Sequence, residues 1–303
     1  MLTPSNVPHM QDAVTAETGR LPAGDEMKTK KEQGSEPDAA EARFSDYAKP
    51  LIDEANSSAA ALRSDSDADV LHRLRVALRR LRTLLWAYRP LLGEELEERQ
   101  GDRFRSLAGA AGKTRDWDIL IELLSDALGE KRAPTERLLS ARAAALSDSR
   151  ERLAHAGINS ELKDALNDAN DTLRQMRKPT PLKKFARKRV AAAEKSLHKR
   201  MRRARGAKGA EYTSYHDVRK GGKKVRYLLE FFEPLLSRKQ LKTLKGLKKL
   251  QKRFGALNDV VASEELLRGN SRDIFSNSRS VATALAALEK QRKRRIRAAA
   301  KLL

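Results

Sequence analysis

A histidine followed by closely spaced basic residues occurs twice in the sequence, at an offset of 144 residues. The copies align without a gap, and the matched side chains are His72, Arg75, Arg79, Arg80 and Arg82 in the first and His216, Arg219, Lys223, Lys224 and Arg226 in the second. Each copy runs on to the same Pro-Leu-Leu sequence, at 90–92 and at 234–236. Arginine donates paired hydrogen bonds to phosphate oxygens, and lysine adds a mobile point charge. The repeat therefore predicts two equivalent basic surfaces that face one anionic ligand.

Each basic set forms a stripe along one helix. Intervals of three and four residues place side chains in neighbouring turns on one edge, and the stripes consist of His72, Arg75, Arg79 and Arg82, and of His216, Arg219, Lys223 and Arg226. A broad apolar face lies beside each stripe and is the predicted core side. Its members are Leu71, Leu74, Ala77, Leu78, Leu81, Leu85 and Tyr88 in the first copy and Val218, Val225, Leu228, Leu229 and Phe232 in the second.

Two glycines interrupt the second helix, since Gly221 and Gly222 stand where the first copy has Ala77 and Leu78. Each glycine costs about 1 kcal/mol inside a helix. The pair therefore predicts that a neighbouring backbone packs closely at this point.

A basic stripe on a single helix is more often a solvated flank, with the histidine making local hydrogen bonds near the helix start. The repetition changes that preference here. Core leucines are expected to recur in any duplicated bundle, but a matching cationic set beside them indicates a shared functional requirement.

The positive charge is unevenly distributed along the 303 residues, although the net charge of the whole chain is +22. Residues 1–40, 41–178 and 179–303 carry net charges of −3, 0 and +25. Such an excess favours polyanions as partners but does not choose among nucleic acid, an anionic membrane and polyphosphate. The arginines of the first copy lie in the part of the chain without net charge. We therefore interpret them as specific contacts to a ligand and not as part of a diffuse basic surface.

The composition also excludes several classes of site and compartment. The chain has no cysteine, which excludes disulfides and thiolate metal sites. No apolar run is long enough for a membrane span and the start does not resemble a signal peptide, so we expect a cytoplasmic protein with no membrane partner. Residues 1–40 are proline-rich, acidic and without apolar periodicity, and they are expected to form a disordered tail.

From about residue 42 the apolar spacing predicts successive amphipathic helices and an all-α fold. The predicted helices of the first part, 41–178, are 42–62, 69–89, 94–111, 116–128, 134–155 and 160–176. Those of the second part, 179–303, are 180–205, 214–233, 238–254, 259–269 and 276–302.

Two further helices carry basic faces whose role the sequence leaves open. On the helix at 180–205 the stripe consists of Arg187, Lys195, His198 and Arg202. On the helix before Gly255 it consists of Lys245, Lys248, Lys249 and Lys252. Each face either extends the binding surface or is simply solvated.

Acidic residues follow a glycine in both parts, with Asp116 and Asp118 after Gly112 and Asp259 after Gly255. We expect Thr114, Asp116, Asn258 or Asp259 to cap a restarting helix, and an aspartate could instead hold a stripe arginine in position. A metal site is the less favoured reading, because no histidine or second acidic cluster completes one.

Enzymatic readings find little support in the sequence. The five histidines form no zinc-binding pair, and no phosphate-cradling glycine loop or Ser/His/Asp arrangement can be assigned. We therefore assign no catalytic residue, no metal and no cofactor.

The chain resembles the conserved histidine α-helical domain (CHAD) family from about residue 42 onward. The resemblance rests on the two His-x-x-Arg-x-x-x-Arg/Lys-Arg/Lys-x-Arg segments, their Pro-Leu-Leu sequences and the Gly-x-x-Arg/Asn-Asp segments that end at Asp116 and Asp259. It implies two four-helix-bundle-like halves related by pseudo-twofold symmetry around a basic central cavity that binds inorganic polyphosphate. The implied contacts are the ten matched basic residues of the repeat, with Lys220, Arg187, His198, Arg202, Lys248 and Lys252 added from neighbouring basic positions.

The favoured function is thus non-enzymatic binding of inorganic polyphosphate, with recruitment to polyphosphate granules and contact with other polyphosphate-associated proteins as further implications. The alternative is a helical nucleic-acid-binding protein, which the strongly basic second half favours. Aromatic residues make up only 5% of the chain and do not interleave with the stripes, which argues against base stacking.

Overall fold

The computed structural model describes residues 38–62, 68–129, 132–207 and 212–303. The expected disordered tail lies almost wholly outside the described residues. The first part of the chain forms the helices α1 Ala40–Ala61, α2 Ala68–Leu92, α3 Glu94–Ala110, α4 Lys113–Leu128, α5 Thr135–His155 and α6 Ile158–Arg174. The second part forms α7 Leu182–Gly206, α8 Tyr212–Phe231, a short 3₁₀ helix Glu233–Leu235, α9 Arg238–Leu241, α10 Thr243–Ile274 and α11 Ser278–Ala300.

The described residues contain no β-strand, which confirms the all-α prediction. An isolated antiparallel bridge joins Ala39 to Pro181 at the starts of α1 and α7. Glycines with positive φ separate helices at three turns of the described residues; two of them are Gly93, at φ 86°, which precedes α3, and Gly129, at φ 80°, which follows α4. Residues that have a Cβ atom rarely adopt a positive φ, so glycine is the residue that suits these turns.

The predicted helices 238–254 and 259–269 differ from the structure, since residues 238–241 form the short helix α9 and residues 243–274 form the continuous helix α10. Gly255 does not end the helix because buried side chains stay in register across it, including Phe254, Leu257 and Val261. Their burial outweighs the roughly 1 kcal/mol that a glycine costs inside a helix.

The predicted core faces of α2 and α8 are buried, as expected from their spacing. Tyr88 and Phe232, matched positions of the repeat, are fully buried in one aromatic cluster: the Tyr88 ring lies 4.8 Å from that of Phe185, which lies 6.2 Å from that of Phe232. Among the described residues this belongs to the larger of two hydrophobic clusters, and the smaller one lies between α4, α5, α10 and α11. Each cluster draws on both parts of the chain. The pseudo-twofold relation of the two parts remains a prediction.

The two glycines of α8 lie where other helices come close. A Cβ on Gly221 would be 3.2 Å from the Leu197 side chain and 3.6 Å from its Cα, on α7. A Cβ on Gly222 would be 2.8 Å from the Leu250 side chain on α10. The missing side chains thus let α7 and α10 pack tightly against α8 and fix the position of its basic stripe.

Candidate anion-binding site

The two repeated helices pack against each other and bring their basic stripes together. The Arg79 guanidinium on α2 donates a hydrogen bond to the Tyr227 hydroxyl on α8, at 3.3 Å. Beside this contact lies a cavity of about 400 Å³ between α2, α3, α7 and α8. Its basic lining residues are Arg79, Arg82, Arg105, Arg200, Arg219, Lys220, Lys223 and Lys224. Three acids, Glu97, Glu98 and Asp102, line the α3 side.

Several lining cations have no counter-charge in contact with them. Arg82, Arg219 and Lys223 form no hydrogen bond and no ion pair with any residue in the described part of the chain. The Nε atoms of Arg79, Arg82 and Arg219 are buried and unpaired. A buried donor without a partner costs about 1–3 kcal/mol, and more when it is charged. The cavity therefore holds a set of donors that an anion would satisfy.

Charge repulsion and burial act most strongly on Lys223. Burial lowers the pKa of its ammonium group to about 6, and the positive charges of Arg79, Arg219 and Arg75 act in the same direction. Burial likewise lowers the pKa of Lys224 to about 8 and the pKa values of Arg82 and Arg219. An anion in the cavity would reverse these effects, because it stabilises the charged forms.

Trp86 forms part of the cavity wall and positions two cations. The Lys224 ammonium lies 3.9 Å from the centre of its ring, and the Arg189 guanidinium lies 4.2 Å from it. Arg189 also donates a hydrogen bond to the Trp86 carbonyl at 2.7 Å. A ring face attracts a cation without cancelling its charge, so the Lys224 ammonium, which lines the cavity, remains available to an anion.

The acids of the two Gly-x-x-Arg/Asn-Asp segments face the stripe arginines. Arg75 lies 3.7 Å from the Asp116 carboxylate and donates to the Gly112 carbonyl at 3.3 Å. A Cβ on Gly112 would be 2.8 Å from the Arg75 guanidinium, so the glycine makes room for that contact. Burial raises the pKa of both Asp116 and Asp259, while Arg75 and Arg219 respectively lower it.

The capping prediction for these segments is wrong. Gly112 is the N-cap residue of α4, so Thr114 and Asp116 lie in its first turn and make no capping hydrogen bond. Asn258 and Asp259 lie inside α10. The competing expectation, that an aspartate holds a stripe arginine, is met by Arg75 and Asp116.

The two histidines have different surroundings. His72 is exposed on one side, and partial desolvation of its ring together with nearby arginines lowers its pKa. The His216 ring is 3.0 Å from the Asn258 side-chain oxygen and 3.3 Å from the Tyr212 hydroxyl. Burial also lowers the pKa of His216. Neither ring lines the cavity.

The remaining predicted residues do not line the cavity. Arg80 and Arg226 are ion-paired with Glu230. The others are exposed and do not line the cavity: Arg187, His198, Arg202, Lys248 and Lys252.

The sequence reasoning missed Arg105, Arg200 and Trp86 in the cavity lining, and Arg189 behind Trp86. Arg189 follows the buried Phe185 by one helical turn, and Arg200 follows Leu197 by three residues. This register places both arginines at the edge of the buried face of α7, where a cation can reach a space between helices. That signal was present in the sequence.

The described residues contain no group of three or more histidine and carboxylate side chains arranged for a metal ion. None of the described helices combines the length and apolar character needed to cross a membrane.

Comparison with known proteins adds a family and two similar structures. The family model of the CHAD domain matches residues 46–268. The crystal structure of the CHAD domain from the plant Ricinus communis is similar over 88% of this chain and 92% of that chain, with 26% identity and a TM-score of 0.68. PptA from Streptomyces chartreusis is similar in fold over 87% of this chain and 97% of that chain, with 13% identity and a TM-score of 0.64. No curated protein matches the chain.

Proposed function

The chain belongs to the CHAD domain family, and from that premise we propose that it binds inorganic polyphosphate, without converting it, in the cavity between α2 and α8. The observation that carries the proposal is the set of lining cations that form no hydrogen bond or ion pair with the described residues, namely Arg82, Arg219 and Lys223. A folded protein holds such a set together at a cost, and a polyanion offsets that cost.

The shape and chemistry of the site suit a chain of phosphates. The cations come from α2, α7 and α8, so a ligand meets donors on several sides. Each arginine guanidinium can donate two parallel hydrogen bonds to a pair of phosphate oxygens, and each lysine ammonium adds a mobile positive charge. Each phosphate of a polyphosphate repeats the same charge, which fits a site that repeats the same basic stripe.

A pair of double variants tests the site. R79E/K223E places two carboxylates inside the cavity and is expected to weaken binding of long-chain polyphosphate by at least about a hundredfold, since each charge-assisted contact with the ligand contributes about 1.5–3 kcal/mol. R187E/R202E places the same two carboxylates on the exposed face of α7 and serves as the matched control. Equal loss in both variants, with both still folded by circular dichroism, would reject the cavity as the site.

Nucleic acid is the second candidate, favoured by the exposed cations of α7, among them Arg187 and Arg202. Competition separates the two ligands. If single-stranded or duplex nucleic acid displaces bound polyphosphate at equal phosphate concentration, nucleic acid becomes the better assignment.

The proposal includes no turnover of the ligand. Incubation with long-chain polyphosphate and a divalent cation is expected to leave its length distribution unchanged on a gel. Chain shortening or phosphate release would make the protein an enzyme instead.

Recruitment to polyphosphate granules in the cytoplasm, alongside other polyphosphate-associated proteins, is a proposed consequence of such binding. A fluorescent fusion of the wild type is expected to colocalise with stained granules, and R79E/K223E is expected to stay diffuse. Equal localisation of both proteins would separate granule recruitment from the cavity.

A further inference from the structure

Arg80 of the first copy of the repeat and Arg226 of the second share one carboxylate. The Arg226 Nε lies 3.0 Å from Glu230 Oε1, and the Arg80 Nη2 lies 3.8 Å from Glu230 Oε2. Arg226 also donates a hydrogen bond to the Gln251 side-chain oxygen at 2.8 Å. A carboxylate between two guanidinium groups is the arrangement that a phosphate would take in its place.

This cluster lies next to the cavity, with Tyr227 between them. The Tyr227 hydroxyl accepts a hydrogen bond from the cavity residue Arg79 at 3.3 Å, and Tyr227 itself lines the cavity. The Tyr227 ring centre lies 5.2 Å from the Arg226 guanidinium and 5.7 Å from that of Arg80. One side chain therefore contacts the cations on both sides.

The ion pairs of Glu230 with Arg80 and Arg226 are weak. At 3.8 Å the contact with Arg80 is too long for a hydrogen bond. The Nε atoms of both arginines have no hydrogen-bond partner, although the Arg226 Nε is close to the carboxylate. The side chains of Arg80, Arg226 and Glu230 are each about one-third exposed. A solvent-borne anion can therefore reach the pair and displace the carboxylate.

We propose that Arg80 and Arg226 form a second phosphate subsite, which Glu230 occupies in the free protein and yields to a polyphosphate chain that extends past Tyr227. Glu230 is thus a residue that sets the preference between short and long chains. A short chain fits within the cavity and leaves Glu230 in place, whereas a long chain exchanges the carboxylate for a phosphate. This inference rests on the proposed function.

The test compares two variants and two ligands by calorimetry. E230Q removes the competing charge while keeping the size of the side chain. E233Q is the matched control, because Glu233 is exposed, lies three residues further on and has no ion pair among the described residues. The ligands are tripolyphosphate and long-chain polyphosphate, each titrated into the full-length chain.

E230Q is expected to tighten binding of the long chain by about three- to fivefold, the effect of removing one partly exposed ion pair. Tripolyphosphate affinity should stay unchanged, and E233Q should match the wild type with both ligands. R80Q/R226Q, which removes the subsite, is expected to weaken long-chain binding and leave tripolyphosphate affinity as it was.

Equal gains for both ligands, or equal gains in E230Q and E233Q, would show that Glu230 acts only through net charge and would overturn the inference. No change in E230Q would do the same. Failure of the proposed function has a different signature, since the wild type would then bind neither ligand. If E230Q does not fold, R80Q/R226Q decides, because an unchanged long-chain affinity in that variant rejects the subsite.

Discussion

Polyphosphate binding is expected to weaken as the pH rises above about 6, because Lys223 must gain a proton when the ligand enters. In the free protein the pKa of this ammonium group is lowered to about 6, chiefly by burial and also by the positive charges of Arg79, Arg219 and Arg75, against which Asp259 acts. The amine is therefore mostly neutral at neutral pH. A phosphate beside it stabilises the charged form and returns the pKa toward the ordinary lysine value of about 10.4.

The size of the effect follows from this linkage. Where Lys223 is neutral in the free protein and charged in the complex, the affinity falls by up to about tenfold for each pH unit. Between about pH 6 and about pH 8 the loss amounts to about tenfold to fiftyfold. Lys224, whose pKa burial lowers to about 8, adds a further loss at higher pH.

The same lysine has the opposite effect on the stability of the free protein. Because the pKa of Lys223 is depressed in the folded state, the unfolded chain binds more protons above about pH 6. The contribution of Lys223 to the free energy of unfolding therefore increases as the pH rises from about 6 toward about 10.4. Loss of affinity over this range is thus distinguishable from loss of the fold, which thermal unfolding of the free protein measures.

Calorimetry in buffers of different ionisation enthalpy measures the proton uptake directly. At about pH 7 the wild type is expected to take up about 0.9 proton per site. Long chains are the appropriate ligand because phosphate groups with a second ionisation titrate near pH 6, and only chain ends carry them. K223R keeps the charge and is expected to bind with almost no uptake, while K199R, on the exposed face of α7, is expected to behave as the wild type.

Two results would refute this reasoning. Uptake near zero in the wild type would mean that Lys223 is already charged or never contacts the ligand. Uptake in K223R equal to that of the wild type would assign the proton to another group, such as His72 or His216, whose pKa values are also lowered.

Three further predictions concern salt, fluorescence and packing. The logarithm of the binding constant should fall linearly with the logarithm of salt concentration, with a slope of about −3 to −4 if about five cations contact phosphates, and a slope near zero would contradict an electrostatic site. Polyphosphate should change the emission of Trp86, whose ring has an ammonium 3.9 Å from its centre; the response should persist in W117F and vanish in W86F. G269A, at an exposed helical position with free space, should raise the free energy of unfolding by about 1 kcal/mol in urea titrations. G222A should gain less or lose stability, because its Cβ would lie 2.8 Å from the Leu250 side chain.

Helix periodicity predicted most of the fold because burial along a helix is a local property. Leu74 and Leu78, one turn apart, are both fully buried. Their spacing alone predicts that they share one helix face, without information about the rest of the chain. The break placed after residue 254 was wrong because a glycine ends a helix only where the chain turns away. At Gly255 the neighbours Phe254 and Leu257 are both held in the core, so the helix continues.

The sequence predicted those residues of the candidate site that are both basic and regularly spaced along one helix. On α2 and α8 the stripe found four cavity cations, Arg79, Arg82, Arg219 and Lys223. On α7 the same reasoning selected the exposed face of the helix, because basic residues opposite a row of apolar residues form the clearest pattern in its sequence. A cavity between helices is lined from the edges of their buried faces, and one helix alone does not reveal which edge faces the space.

Matched positions of the repeat explain why two similar stripes have different surroundings. The offset that pairs His72 with His216 also pairs Trp86 with Glu230. Trp86 holds Lys224 against its ring at 3.9 Å and leaves that charge available, whereas Glu230 lies between Arg80 and Arg226 and compensates both. The duplication kept the cations in both copies, so the difference between an open site and an occupied one comes from the neighbouring residue. A substitution at position 230 therefore changes the availability of existing cations without adding any, which is why we place the preference for chain length there.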